Sequence, residues 1–443
     1  MPPDSPDSRR DAPRRFRSDA PGFDAAFAAF LAEPRMGAQD VAGQVAEIIA
    51  EVRGEGDRAL RRLTRRFDRV ELGEAFAITP ERIAAARSGI DPALLEALAL
   101  AATRIEAYHR RQLPQDARFT DDSGVGLGWR WTAISAVGLY VPGGKAAYPS
   151  SVLMNALPAK VAGVERRVMV VPTPDGELQP LVLAAAELAG VSEIYPLGGA
   201  QAVAALAYGT ETIAPVDKIV GPGNAYVAEA KRQVFGQVGI DSIAGPSEIL
   251  VVADGANDPT WIAADLLSQA EHDEVAQSIL ITDDAGFLEA VAAAVETALA
   301  EEPRAAIARQ SWQRHGALVL VANLAEACAL VDRVAPEHLE LAVADPEALL
   351  PAIHHAGAIF LGRYAPEAFG DYLAGPNHVL PTDRTARFAS GLSVLDFMKR
   401  SSLIDCPRDA LEGLGEAAAR LADAEGLAAH ARSLRLRLAR NRS

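Results

Sequence analysis

A glutamate and a histidine stand side by side, Glu337 and His338, in the stretch Ala335-Pro336-Glu337-His338-Leu339-Glu340-Leu341. A carboxylate and an imidazole together could carry two proton transfers at one centre. On an extended backbone consecutive side chains point to opposite faces. Pro336, however, biases Ala335 away from helix and suggests a turn at the mouth of a strand, from which both groups could reach one cavity. Taken alone, the pair also fits a plain strand start with a solvated Glu and a packed His. Gln269 and His272 lie three apart near the end of a helix opened by Asp258-Pro259, so an amide oxygen and an imidazole nitrogen could meet one cation. A polar helix end is the competing reading. Two further segments supply possible partners. Asp371 lies in a Gly/Pro loop just after a strand over residues 359–361, and His430 closes the run from Glu425. His430 also lies near an apolar stripe of Leu427, Leu434 and Leu438, as a core histidine would. Gln, His, Asp and His would make a nitrogen/oxygen site suited to zinc, without thiolate. His109, His315, His354 and His355 read as surface.

These residues need a scaffold. The chain has 443 residues, enough for two to four domains. Its net charge is -16 and its pI about 5.0, which argues against a nucleic-acid or anionic-membrane surface and fits a protein that binds small molecules. Only Cys328 and Cys406 are present, so no disulfide framework or cysteine-rich zinc module is available, and a reducing, cytoplasmic location is expected. Residues 1–20 are rich in Pro, Arg, Asp and Ser and lack an apolar stretch, as in a disordered tail rather than a signal or span.

Residues 23–113 carry a helical period, with Val41, Val45, Ile48, Ile49 and Val52 at three- and four-residue steps. Residues 125–138 alternate as a half-buried strand pair would. Short apolar runs then alternate with helices, around 168–171, 194–197, 219–220, 249–252, 279–281, 318–321 and 359–361. That order implies parallel sheets covered on both faces, hence α/β with two Rossmann-like doubly wound lobes, a helical N-terminal region and a small helical C-terminal domain. The expected division is a flexible tail and arm over 1–35, one lobe from 36–139 and 248–392, a second over 140–247, and a helical domain over 393–443. Three glycine turns, Pro142-Gly143-Gly144, Gly198-Gly199 and Gly221-Pro222-Gly223, should sit at carboxyl ends of strands, where a helix N-terminus meets an anion such as pyrophosphate. None is a dinucleotide fingerprint, and each alone fits a tight connection.

Together the segments resemble one family. Val137-Gly-Leu-Tyr-Val-Pro-Gly-Gly144, Gly198-Gly-Ala-Gln-Ala202, Lys218-Ile-Val-Gly-Pro-Gly-Asn224, Ala244-Gly-Pro-Ser-Glu248, Leu267-Ser-Gln-Ala-Glu-His272, Pro336-Glu-His338, Gly370-Asp371 with Gly375-Pro-Asn-His-Val-Leu-Pro381, and Glu425 through His430 are similar to histidinol dehydrogenase, in that family's order. The resemblance implies a zinc-dependent, NAD-linked, four-electron oxidation of L-histidinol to L-histidine through the aldehyde. It implies Gln269, His272, Asp371 and His430 as zinc ligands. Tyr140, Gln201 and Asn224 would line the NAD site, and Ser247, His378 and Glu425 would contact substrate together with the ligands and His338. It also implies an intertwined homodimer whose C-terminal helices complete the partner's site. The tail before Phe23 has no counterpart and the stretch 236–242 is short for the family, so both are expected to be peripheral to chemistry.

The chemistry fits the residues independently. His338 suits removal of the alcohol proton and Glu337 activation of water for the second oxidation, while neither cysteine lies in a shared motif. Competing readings are a same-scaffold dehydrogenase for another alcohol such as a sulfonated diol, a hydrolytic zinc enzyme, and a non-catalytic binding module.

Overall fold

A computed structural model describes residues 12–35, 41–143 and 148–439. β1 (Arg14–Arg17) and α1 (Phe23–Ala32) precede four helices, α2 (Ala42–Glu55), α3 (Asp57–Asp68), α4 (Pro80–Arg87) and α5 (Pro92–Arg110). After β2 (Ala117–Thr120) and β3 (Gly126–Ala133) comes a first strand–helix series. It comprises β4 (Ala136–Tyr140), α6 (Pro149–Ala162), β5 (Arg166–Val170), α7 (Pro180–Ala189), β6 (Glu193–Tyr195), α8 (Gly199–Tyr208), β7 (Lys218–Val220), α9 (Ala225–Val234) and β8 (Gly239–Ile240). The second series starts with β9 (Glu248–Ala253), α10 (Pro259–Ala270), β10 (Gln277–Thr282), α11 (Ala285–Ala298) and α12 (Ala305–His315). It continues with β11 (Ala317–Leu320), α13 (Leu324–Val334), β12 (His338–Ala342), α14 (Pro346–Leu349), β13 (Ala358–Leu361) and α15 (Glu367–Phe369). β14 (Met398–Asp405), α16 (Arg408–Ala424) and α17 (Ala428–Ala439) end the described chain.

Each series forms its own parallel sheet, in the orders β6-β5-β4-β7-β8 and β1-β11-β10-β9-β12-β13. Every residue of β9 and β10 is buried, which is why they read as unbroken apolar runs and not as alternating ones. Helices start where a side chain can take the orphan N–H groups: Asp258 accepts from Thr260 ahead of α10, and Asn224 from Tyr226 and Val227 ahead of α9. The α/β architecture with two doubly wound sheets is therefore as the sequence predicts.

Four expectations give way. Arg14–Arg17, inside the expected disordered tail, form β1 and pair in parallel with β11; residues 1–11 lie outside the described ones. The strands expected to pair over 125–138 do not meet. β3 joins β2 and β14 in a separate antiparallel sheet, and β4 occupies the middle of the five-stranded one. Residues 36–139 were assigned with the second series, yet α2 and α3 bury Val45, Val52, Leu60 and Leu63 against the five-stranded sheet. α5 does the same through Leu98 and Ile105 on that sheet's other face. Finally, His109 is fully buried rather than a surface residue, its Nδ1 2.8 Å from the Ile105 carbonyl oxygen.

α16 and α17 pack on each other and bury only Ala410, Gly415, Ala419 and Ala431. No described helix is long and apolar enough to cross a membrane.

Candidate active site

Ala335, at φ 49°, caps α13 in the left-handed region, so the chain turns through Pro336 and enters β12 at His338. That turn aims both Glu337 and His338 into one cavity of about 210 Å³. Its walls come from the amino ends of β9 and β12 in the six-stranded sheet and the carboxyl ends of β4, β7 and β8 in the other. The carboxyl-end rule for open α/β sheets thus holds for only one of the two sheets.

Both members of the pair are nearly inaccessible, Glu337 7% and His338 4% exposed. Glu337 Oε2 accepts the Glu248 backbone N–H at 2.9 Å. His338 Nδ1 lies 3.0 Å from the Glu248 carbonyl oxygen, which can only accept, so Nδ1 carries the proton and Nε2 presents its lone pair. Burial pushes the Glu337 carboxyl well above the usual carboxylate range, and the neighbouring Glu248 carboxylate pushes it further. The His338 imidazole moves the opposite way, down to about 4 through burial, with Asp371 partly opposing. One is a carboxylate made more basic and the other an imidazole held neutral.

Gln269 occupies the last turn of α10 and His272 lies two residues beyond it, with Gln269 Nε2 3.3 Å from His272 Nδ1. Asp371 comes from a π-helical turn, Gly370–Ala374, in place of the expected plain loop; such turns recur at functional sites. Its Oδ1 lies 3.8 Å from His378 Nδ1 and 3.9 Å from His338 Nε2. Ser247, Gln269, His272, Asp371 and His378 all line the cavity with the dyad. Glu425 and His430 do not: they sit exposed at the end of α16 and on α17, so the apolar stripe does not bury His430.

Several cavity residues carry no signal that the sequence reading used. Glu367 is 2% exposed, its Oε1 3.6 Å from His338 Nδ1, and its backbone N–H donates to Glu340 Oε1 at 2.6 Å. Donor atoms of His338, Glu367 and Asp371 lie within 4.8 Å of one another, close enough to share a cation. Asp241 and Ser242 also line the cavity, although the stretch 236–242 was expected to be peripheral.

The three residues expected at NAD gather at the carboxyl end of the five-stranded sheet. Tyr140 is buried, its hydroxyl oxygen accepts the Gly199 N–H at 3.0 Å, and burial pushes the phenol up to about 12. Gln201 is 2% exposed on the first turn of α8, and Asn224 caps α9. None of the three lines the cavity itself; Gly221 and Pro222, just before Asn224, do. Gly221 has φ 110°, and a Cβ there would overlap the Tyr140 carbonyl oxygen, so only glycine fits. The third turn, at 142–144, continues into residues outside the described ones beyond Gly143.

A family model described as histidinol dehydrogenase matches residues 31–438. The chain is 65% identical to histidinol dehydrogenase of Rhodospirillum rubrum over 430 residues, which is 97% of this chain and 99% of that one. It is 59% identical to the protein of that name from Gluconobacter oxydans over 429 residues, covering 97% of this chain and all of that one. Its fold superposes on the crystal structure of histidinol dehydrogenase from Elizabethkingia anophelis with a TM-score of 0.92 at 34% identity, covering 97% and 98% of the two chains.

Proposed function

Because the chain belongs to the histidinol dehydrogenase family, and so is an oxidoreductase of histidine biosynthesis, we propose that it converts L-histidinol to L-histidine through L-histidinal in two NAD-linked steps. The carrying observation is that a basic carboxylate, a neutral imidazole and a set of nitrogen and oxygen donors line one cavity next to a glycine turn. When bound, NAD supplies the hydride acceptor for both oxidations, and zinc supplies an anchor for the substrate's imidazole and amine.

The donor chemistry fits zinc. Gln269, His272 and Asp371 offer an amide oxygen, an imidazole and a carboxylate around one space, with no thiolate. Three protein ligands leave a position open, and His430 is the proposed fourth, contributed by a second copy of the chain. The exposure of His430 and Glu425 on a helical hairpin supports that reading. So do the exposed Leu421 and Leu436 on the same two helices, apolar side chains of the kind that subunit interfaces cover. Tyr140, Gln201 and Asn224 are the proposed NAD contacts, placed around the N-termini of α8 and α9.

His338 takes the hydroxyl proton at Nε2 in the first oxidation, its tautomer fixed by the Glu248 carbonyl oxygen. Glu337 then removes a proton from water that adds to the aldehyde, a task its raised basicity suits. Ser247, His378 and Glu425 orient the substrate. The two free cysteines play no part: Cys328 is buried on α13 and Cys406 is exposed, and neither lines the cavity. Two free cysteines also fit the proposed cytoplasmic location. Purified protein supplied with zinc, NAD and L-histidinol should yield two NADH per substrate consumed. A yield of one, or turnover of a sulfonated diol in preference to histidinol, would overturn the assignment.

A further inference from the structure

Glu248 closes the segment Ala244-Gly-Pro-Ser-Glu248, yet none of the roles above falls to its side chain. It starts β9 directly beside the dyad, with Ile249 in register with His338. Its backbone N–H and carbonyl already bind Glu337 and His338. Its carboxylate closes the loop in the other direction: Oε2 accepts the Glu337 backbone N–H at 3.2 Å. Two neighbouring strand ends are thereby cross-linked through each other's carboxylates. Oε1 accepts the Asp383 N–H at 3.1 Å and is paired with the Arg35 guanidinium. Both Arg35 and Glu248 are almost wholly withdrawn from water, with side chains 9% and 3% exposed.

A carboxylate buried this deeply is costly unless it is paired and fully hydrogen-bonded. Arg35 and two backbone N–H groups meet that condition. Arg35 follows α1, which is itself anchored through Phe27 and Phe30 in the core of the six-stranded sheet. The loop it reaches carries two consecutive non-glycine residues at positive φ, Asp383 at 51° and Arg384 at 63°. Such strain persists only where the surroundings hold it. Arg35 also lies 3.8 Å from Asp383. The N-terminal arm, the start of β9, the dyad and the 382–384 loop thus converge on one carboxylate.

We propose that Arg35 and Glu248 are positioning residues for the acid–base dyad, in which the arm's guanidinium holds the Glu248 carboxylate, that carboxylate fixes the Glu337 backbone, and the Glu248 backbone N–H so placed holds the Glu337 side chain. The proposal rests on the dyad reading above. Neither side chain lines the cavity, so their loss should act on turnover and not on binding. Misplacing a reacting group by about an ångström costs about 100-fold in rate.

The test uses Arg35→Ala, Glu248→Gln and Glu337→Gln in the zinc-loaded, full-length enzyme, with L-histidinol and L-histidinal as separate substrates. Arg35→Ala and Glu248→Gln should lower kcat for aldehyde oxidation about 10- to 100-fold while leaving KM for NAD and for substrate nearly unchanged. Millimolar guanidinium should restore part of the kcat of Arg35→Ala and none of that of Glu248→Gln. A folded Arg35→Ala enzyme with wild-type kcat, or a loss that guanidinium does not relieve and that tracks only the melting temperature, would overturn the proposal. If Glu337→Gln alone is impaired, the positioning role fails and the dyad stands. If Glu337→Gln oxidises the aldehyde at full rate, both fall.

Discussion

Replacing Lys231 by Met separates what a buried ion pair does for stability from what it does for the cofactor turn. Lys231 on α9 reaches back to the carboxyl ends of two strands. Its Nζ donates to the Gly221 carbonyl at 3.0 Å and pairs with Asp241, whose other oxygen accepts the Gly221 N–H at 2.7 Å. The two side chains are 3% and 5% exposed. Lys231→Met leaves the Asp241 carboxylate buried without its cation, a loss of about 3–5 kcal/mol, which is a large share of a stability of about 5–15 kcal/mol. Lys231→Met with Asp241→Leu removes both charges and should recover most of that, because well-packed apolar residues often replace a buried pair without net loss. Lys231→Met removes one of the two bonds that pin Gly221, and the double variant removes both. At about 0.5–1.5 kcal/mol each, KM for NAD should rise about fivefold in the single variant and about 30-fold in the double. Urea unfolding at matched m-values and steady-state KM for NAD provide the two readouts. A single variant that loses less than about 1 kcal/mol, or a double variant no more stable than the single, would refute the desolvation reasoning.

Three other outcomes follow from the geometry. His109 is buried and its folded-state pKa is lowered by burial, so the unfolded chain binds a proton that the folded one refuses. Its contribution is intact above about pH 6.5 and is lost as pH falls below that, by at most about 1.4 kcal/mol per pH unit. His109→Gln should flatten the decline in urea midpoint between neutral pH and pH 5, and an unchanged decline would exclude it. Chelation should abolish turnover and reduce histidinol binding measured by calorimetry while leaving the far-UV circular dichroism intact, with recovery on adding zinc; binding unaffected by chelation would remove the anchor role. Mixing inactive His430→Ala with inactive Glu337→Gln under subunit exchange should regain part of the activity, since one site of each hybrid is then complete. No recovery would place His430 in its own subunit's site.

The strands were legible because parallel strands buried on both faces are written as unbroken apolar runs, as Ile279–Leu280–Ile281 and Leu250–Val251–Val252 are. β1 and β14 were not, because Arg-Arg-Phe-Arg and Met-Lys-Arg-Ser-Ser-Leu-Ile-Asp spend most of their side chains on solvent. In β1 only Phe16 packs inward against apolar neighbours, and a single residue has no period. Glu337, His338, Gln269, His272 and Asp371 stood out as candidates by type and place, the dyad and the Gln-x-x-His pair each with a plain structural reading beside it, and the fold brings all five to one cavity. Glu248, Glu367, Lys231 and Asp241 did not, because a charged residue reads as solvent-exposed until tertiary structure encloses it. His109 failed the same way: its burial depends on what α5 packs against. His430 was legible by type as one possible ligand and the role of Glu425 only through the resemblance, and a single chain leaves both in solvent.

The pairing of β1 with β11 sets an order of assembly. Arg14 leaves the ribosome long before its partner Ala317 exists, and about 300 residues at 5–20 per second take roughly 15–60 s. During that interval the whole five-stranded sheet, drawn from β4 through β8, has been synthesised, while the six-stranded sheet still lacks β11, β12 and β13. The nascent chain therefore has a template lobe available before the second lobe can close. Glu337 and His338, entering on the penultimate strand of that second sheet, are placed only near the end of synthesis.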